Sequence, residues 1–360
     1  YALAYPIQGL LKYHGMIDSD KKIAYFPSVS LNNQSGVTIT FLSLDLKFQS
    51  DVFILNGKKL SKNKKKYQRI KVTLEILREI TGIQTKCLII TRNVNSSSFE
   101  LLSGKGLGTS ASGGAALATA FMNIVYDKQP SLRQNSQLKS YFSRFFAGSA
   151  SRSAVGGISL WFNHPLIKSK NSYAIRLDRE EDRDFIQDIK LITIPIPSSI
   201  STNQIHQYAP KSPFFSAWLG IRSKMLDEFL HALWKHDFQK IGTLIEHDTL
   251  ALHGVSLTGR QESPEILWAP DTIRIMKFTQ KKKEKGLQVY YSIDTGPSVV
   301  LVTRKSFLSS IISRLKSMNL KYPILVGSIG GQSEILPPDH ELAKILKKDL
   351  TSYNVNQFEN

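Results

Sequence analysis

The chain has 360 residues, 41% of them hydrophobic, 14 prolines spread along its length and a formal charge of +18. That length can bury a large core and divides into two lobes, while no apolar run approaches the roughly 18 residues that cross a bilayer. Cys87 is the only cysteine; it excludes an internal disulfide and, inside the apolar run Cys87–Ile90, points to burial in a reducing, cytoplasmic setting.

The basic excess raises the question of a nucleic-acid partner, so its location matters more than its total. Much of it falls in three polar runs, Lys58 to Arg69, Lys277 to Lys285 and Lys344 to Lys348. None alternates basic and aromatic residues as a base-stacking surface does. The expectation is solvated faces that attract a small polyanionic substrate, with no nucleic acid and no membrane as partner.

Residues Tyr1 to Gly15 read as a strand entering a turn, not as a basic segment ahead of an apolar core. Lys12, within Leu10-Leu-Lys-Tyr13, is either an edge residue with its head in water or a cation held in a site. Strands follow at Val37–Phe41 and Val52–Leu55, the second closed by the hairpin signal Asn56-Gly57. Leu74, Leu77 and Ile80 share one face of a helix that Thr81-Gly82 closes, and Cys87–Thr91 is a short β-branched run.

The stretch Ser103 to Leu117 then packs five glycines and four hydroxyl residues ahead of a helix that Thr109 or Ser110 can cap and that runs to about Tyr126. Inward-turned amides and a helix N-terminus would hold phosphate there; the alternative is tight helix packing over small residues. The spacing is not the Walker pattern, since Gly106 follows Lys105. Leu138, Tyr141, Phe142, Phe145 and Phe146 form the apolar stripe of a buried helix. After them Arg152 stands alone among small and hydroxyl residues from Ala147 to Gly157, as a bidentate anion clamp or a structural salt bridge.

Strands at Ile158–Phe162, Tyr173–Leu177 and Ile189–Ile196 lead to Pro195 and Pro197, which place the lobe boundary between 196 and 197. The first lobe, 1–196, carries the glycine-rich loop; the second, 197–360, opens with helical patterns over Phe214–Trp234 and Phe238–Leu252. A further helix begins near Asp271 and ends in the lysine run, strand Val289–Ile293 stops at Asp294-Thr-Gly-Pro297, and Val299–Val302, Phe307–Met318 and Ile324–Val326 follow as strand, helix and strand. Asp294 either caps its turn or faces whatever the turn faces. The pairs His231 with His236 and His247 with His253 are not spaced to share a helix face, so no metal site is expected. No serine sits in a nucleophile elbow.

Four segments together, Leu11-Lys-Tyr-His-Gly15, the glycine stretch to Gly114, Gly148 to Gly157 and Tyr290 to Pro297, resemble the mevalonate diphosphate decarboxylases of the GHMP kinase superfamily. The corresponding family motifs run roughly LKYWGK, GLASSAxG, GSGSAxRSxxGG and YTFDAGPN, in the same order. The resemblance implies a two-lobed α+β fold with the active site in the interlobe cleft, commonly in a homodimer, and a small phosphorylated substrate. By motif, Asp294 matches the catalytic aspartate, Lys12 the active-site lysine, Arg152 the arginine that grips the substrate carboxylate, and Tyr13 and Ser149 substrate contacts. Gly108, Thr109 and Ser110 fall in the phosphate cradle.

Met16 stands where the family has its second lysine and Ala147 where it has a serine, both serving the substrate's anionic end, which implies a 5-monophosphate in place of a diphosphate. Leu102, Lys105 and Thr109 depart from the family's nucleotide loop. The chain is thus most similar to the archaeal branch that acts without ATP on mevalonate 3,5-bisphosphate, and no cofactor is expected; the alternative is an ATP- and Mg-dependent decarboxylase of phosphomevalonate or diphosphomevalonate.

Overall fold

The structure, a computed structural model, describes residues 1–102, 107–198, 202–260 and 266–352. A six-stranded sheet runs in the order Glu334–Ile335, Ala2–Ala4, Gly36–Leu44, Cys87–Asn95, Val52–Leu55, Lys58–Lys59. Val52–Leu55 pairs parallel to Cys87–Asn95, and the helix Lys65–Thr81 makes the crossover that a parallel pair requires. Asn56 and Gly57 both take positive φ, 52° and 74°, which matches the right-handed twist of the hairpin they close.

Helix Thr109–Val125 lies on this sheet and is buried along most of its length. Its small residues serve packing: a Cβ on Gly114 would lie 2.8 Å from the Cβ atoms of both Ala150 and Phe146. Close packing thus accounts for the second half of the glycine stretch, while residues 103–106, including Lys105, lie outside the described residues. Helix Ser136–Phe146 packs beside it, capped by Asn135, whose side chain accepts from Leu138 N–H at 2.8 Å. Phe142 is fully buried in the core that these helices share with Phe53, Leu74 and Cys87.

Two four-stranded antiparallel sheets complete the fold. One has the order Ile7–Leu11, Ser28–Asn32, Ile158–Trp161, Ala174–Arg176; the other Val289–Ser292, Val299–Arg304, Ile189–Ile194, Leu325–Ser328. A single core joins them, in which Leu10, Leu11, Val29 and Leu31 meet Leu191, Phe229, Ile245 and Val300. Complete burial of one such side chain, Phe229, stabilises by about 3 kcal/mol. The fold is two-lobed α+β, and the end of Ile7–Leu11 abuts the end of Val289–Ser292: the Ser292 hydroxyl donates to Gly9 O at 2.6 Å and accepts from Gln8 Nε2 at 2.9 Å.

The structure redraws three boundaries. Ile189–Ile194 belongs by pairing to the second lobe's sheet, and Glu334–Ile335 returns to the first, so a cut between 196 and 197 divides neither sheet set cleanly. The C-terminal helix Glu341–Ser352 also packs on the first lobe, held by Arg92, which donates from Nε and Nη2 to Asp349 at 2.6 and 2.5 Å. The pattern read as one helix from Phe214 to Trp234 is broken at Ile221 into Phe215–Gly220 and Arg222–Trp234, and the next helix extends past Leu252 to Gly259.

Candidate active site

The strand Ile7–Leu11 ends in a β-bulge between Gly9 and Leu11, a distortion that re-aims the side chains beyond it. Lys12 follows at once and turns into the protein, 4% exposed. Its backbone N–H donates to Asp248 Oδ2 at 2.8 Å, and its Nζ donates to Thr249 Oγ1 at 2.9 Å and lies 3.7 Å from Asp248 Oδ2. Asp248 also pairs with Arg222, whose Nη2 donates to Lys12 O at 2.8 Å. Lys12 is therefore buried in a polar network and is not an edge residue with its head in water. Burial pushes its ammonium down, against the pull of Asp248 and Asp294.

Asp294 closes the other side. Its Oδ1 accepts from Gln8 Nε2 at 3.1 Å, and the Gly9 backbone N–H lies near enough to favour the ionised carboxylate. A Cβ on Gly9 would sit 2.8 Å from Asp294 Oδ1 and 2.8 Å from Lys12 Cγ, so the absence of a side chain is what lets the acid and the lysine approach one strand together. The side chain is half-buried. Burial pushes its carboxyl up, with Lys12 and then Arg152 opposing. It is more than a turn cap: two donors and two cations converge on it.

Arg152 sits in the short helix Ala150–Val155 and is 2% exposed. Among the described residues no carboxylate lies within ion-pair distance of it, which removes the structural salt bridge as its role. Its Nη1 donates to Ser28 Oγ at 2.8 Å, its Nε has no partner, and its guanidinium lies 5.4 Å from the Tyr13 ring and 5.8 Å from the Trp161 ring. Burial lowers its pKa from 12.5 to about 10. Such an arginine is poised for an anion from outside the protein. Ser149 lies near enough to Tyr13 to influence its hydroxyl, and Arg152 lies over the Tyr13 ring, so these two expected contacts sit beside each other and beside Arg152.

The helix Thr109–Val125 starts from Gly108, φ +68°, where a Cβ would lie 2.3 Å from Ile7 O; only glycine can bring this helix start onto the strand that leads to Lys12. The amides of Thr109 and Ser110 have no carbonyl within the helix to bond and suit an anion, whereas those of Ala111 and Ser112 donate to Gly108 O at 2.9 and 3.3 Å. Ser110 Oγ accepts from Arg69 Nη1 at 3.5 Å. Arg69 belongs to the run expected to be a solvated face, yet its guanidinium lies 5.7 Å from the Phe146 ring and close enough to Tyr13 and Lys22 to influence both. It thus adds a cation to the phosphate end.

Met16 packs with Tyr13 in the cluster around Trp161, and its Cε would lie 3.3 Å from a Cβ on Gly148. The position where the family carries a lysine is apolar here. Three buried or half-buried imidazoles surround the same wall. His206 is stacked on Tyr13, ring centroids 4.9 Å apart and planes 5° apart; His14 lies 5.1 Å from His206 and pairs with Ser256 Oγ at 3.0 Å. His253, fully buried, faces the backbone of Ile293 and Asp294 without a hydrogen bond of ordinary geometry.

Sequence reading missed Asp248, Thr249, Arg222, Gln8 and Arg69. A usable signal existed for the first two: Asp248, Thr249, His253 and Ser256 place polar groups near one side of the helix Phe238–Gly259, three of them buried. Gln8 carried none, because its partners lie more than 280 residues away along the chain, and Arg222 carried none, because one partner lies on the following helix and the other 210 residues away. Among the described residues no three His, Cys, Asp or Glu side chains cluster as a metal site, and no described helix is long and apolar enough to cross a membrane.

The diphosphomevalonate decarboxylase-like N-terminal domain matches residues 4–174, and the mevalonate 5-diphosphate decarboxylase C-terminal domain matches residues 200–336. The chain is 28% identical over 342 residues to the phosphomevalonate decarboxylase of Haloferax volcanii, covering 95% of this chain and 98% of that protein. It is 26% identical to the mevalonate 3,5-bisphosphate decarboxylase of Thermoplasma volcanium, covering 90% and 81%. Among solved structures, mevalonate diphosphate decarboxylase from Staphylococcus aureus superposes with a TM-score of 0.82 at 27% identity, covering 93% of this chain and 97% of that one. The enzyme from Enterococcus faecalis gives 0.81 at 25%, covering 93% and 98%. With both halves matched, the chain belongs to the mevalonate diphosphate decarboxylase family of the GHMP kinase superfamily, whose members named here are mevalonate-pathway decarboxylases.

Proposed function

We propose that this chain converts mevalonate 3,5-bisphosphate, without ATP, to isopentenyl phosphate, inorganic phosphate and carbon dioxide. The observation that carries the reading is Arg152, a buried cation with no carboxylate of its own beside the Asp294–Lys12 pair. In the reaction the C3–O bond breaks, the C1–C2 bond breaks to release carbon dioxide, and that electron pair becomes the new C2=C3 double bond. Arg152 holds the departing carboxylate in line, Lys12 neutralises the leaving phosphate, and Asp294 stabilises positive charge developing at C3. Donors from Gln8 and Gly9 favour the ionised form of Asp294 that this role needs.

The apolar setting of Met16 supports a 5-monophosphate, since a second phosphate would lack the cation that the family supplies there. Gly108, Thr109 and Ser110, with Arg69, would then cradle the 3-phosphate. A second reading, in which ATP and Mg first phosphorylate mevalonate 5-phosphate at C3, is favoured by the near full-length match to the Haloferax relative; the same helix start would face the transferred phosphate. Purified protein incubated with mevalonate 3,5-bisphosphate and no nucleotide should release phosphate and carbon dioxide in equal amounts. Turnover of mevalonate 5-phosphate only when ATP is present would select the second reading.

A further inference from the structure

The anionic end of the proposed substrate has lost two groups that the family provides, and the structure offers a replacement. His206 is stacked on Tyr13, the residue beside both Arg152 and Ser149. Its Nδ1 accepts from the backbone N–H of Gly15 at 3.3 Å. That bond places the neutral imidazole's proton on Nε2, on the far side of the ring from Gly15. The side chain is half-buried, so it is held in place yet not sealed from solvent. The groups facing it are Tyr13, His14 and Arg152, and no carboxylate is among them.

We infer that His206 binds the substrate's 5-phosphate through Nε2–H and so sets the preference for a phosphorylated 5-end. The stack on Tyr13 fixes the ring plane and the Gly15 amide fixes the tautomer, which leaves one donor beside Tyr13 and Arg152; Met16 and Ala147 provide none. Burial and then Arg152 hold the free imidazole near pKa 4, hence neutral before the ligand arrives; an entering phosphate reverses that bias and strengthens the bond. The inference rests on the 5-monophosphate reading above but is independent of whether ATP is used.

Calorimetric affinities for mevalonate 5-phosphate and for unphosphorylated mevalonate test it in the wild type, His206→Phe and His206→Gln. Phenylalanine keeps a ring against Tyr13 and removes the donor; glutamine keeps a donor and loses the ring. Loss of one hydrogen bond to a charged group predicts affinity for mevalonate 5-phosphate about tenfold or more weaker in His206→Phe. Mevalonate affinity should stay unchanged, and His206→Gln should recover most of the selectivity. A wild-type preference for the phosphorylated ligand that survives intact in His206→Phe, or equal loss for both ligands, overturns the assignment of His206. A wild type that does not prefer the phosphorylated ligand overturns the 5-monophosphate reading and this inference with it.

Discussion

Replacing Arg152 by methionine separates the functional role of this residue from a structural one. In the free protein the guanidinium is 2% exposed and has one side-chain hydrogen bond, to Ser28. Its pKa falls from 12.5 to about 10, which corresponds to roughly 3 kcal/mol spent on keeping the charge buried. Methionine of similar length removes that cost while still filling the space beside Tyr13 and Trp161, so the variant should be as stable as the wild type or more so. Removing one partner of a buried salt bridge would instead cost about 3–5 kcal/mol. Activity should move the other way: loss of a group that orients and neutralises the reacting carboxylate costs about 3–4 kcal/mol, a hundredfold or more in kcat/KM. Denaturant unfolding alongside carbon dioxide release measures both. A variant destabilised by 3 kcal/mol or more, with activity that merely tracks the folded fraction, would refute the reasoning.

Three further outcomes follow from the same geometry. Asp294→Asn should keep or raise thermal stability, because burial makes the carboxylate's ionisation unfavourable to folding at neutral pH, yet lose a hundredfold or more in turnover; a clear drop in melting temperature with near-normal turnover contradicts it. Gly9→Ala drives a methyl to within 2.8 Å of Asp294 Oδ1 and Lys12 Cγ, which should cost about 1–3 kcal/mol of stability and displace the acid from the lysine. Its kcat should fall at least tenfold in a steady-state assay, and an unaffected kcat counts against the shared approach. Burial lowers His206 to a pKa of about 4, His253 to about 3 and His14 well below its ordinary value. Since free imidazole titrates near 6.5, the unfolded chain binds more protons below that pH; stability complete above pH 6.5 should decline toward pH 4, by up to about 1.4 kcal/mol per pH unit for each imidazole. Denaturation midpoints that stay flat between pH 7 and 5 would show that these rings are not held neutral.

Local chemistry in this chain was legible where neighbours in sequence are neighbours in space. Asn56-Gly57 specified its hairpin and the aromatic stripe from Leu138 to Phe146 specified a buried helix; that Lys12, Arg152 and Asp294 meet came only from the resemblance of four distant motifs to a family, not from local sequence. What stayed hidden was set by distant partners. Asp248 orders Lys12 through a helix 236 residues further on, and Ile189–Ile194 joins a sheet whose other strands begin about a hundred residues later. Arg69 looked like one more cation in a lysine-rich run; only the packing of Phe146 and the start of helix Thr109–Val125 distinguish it from its solvated neighbours. Ile221 broke a helix that periodicity carried straight through, because the apolar face changes direction there between Trp218 and Met225, which pack into different clusters.

In the proposed reaction Asp294, Lys12 and Arg152 perform a decarboxylative elimination on a substrate whose 3-phosphate is already in place. The most direct test is a nucleotide-free incubation with mevalonate 3,5-bisphosphate, following phosphate and carbon dioxide together. Release of one of each per isopentenyl phosphate, abolished by Asp294→Asn, is the predicted result. No release without ATP, from protein that turns over mevalonate 5-phosphate when ATP is added, would contradict it.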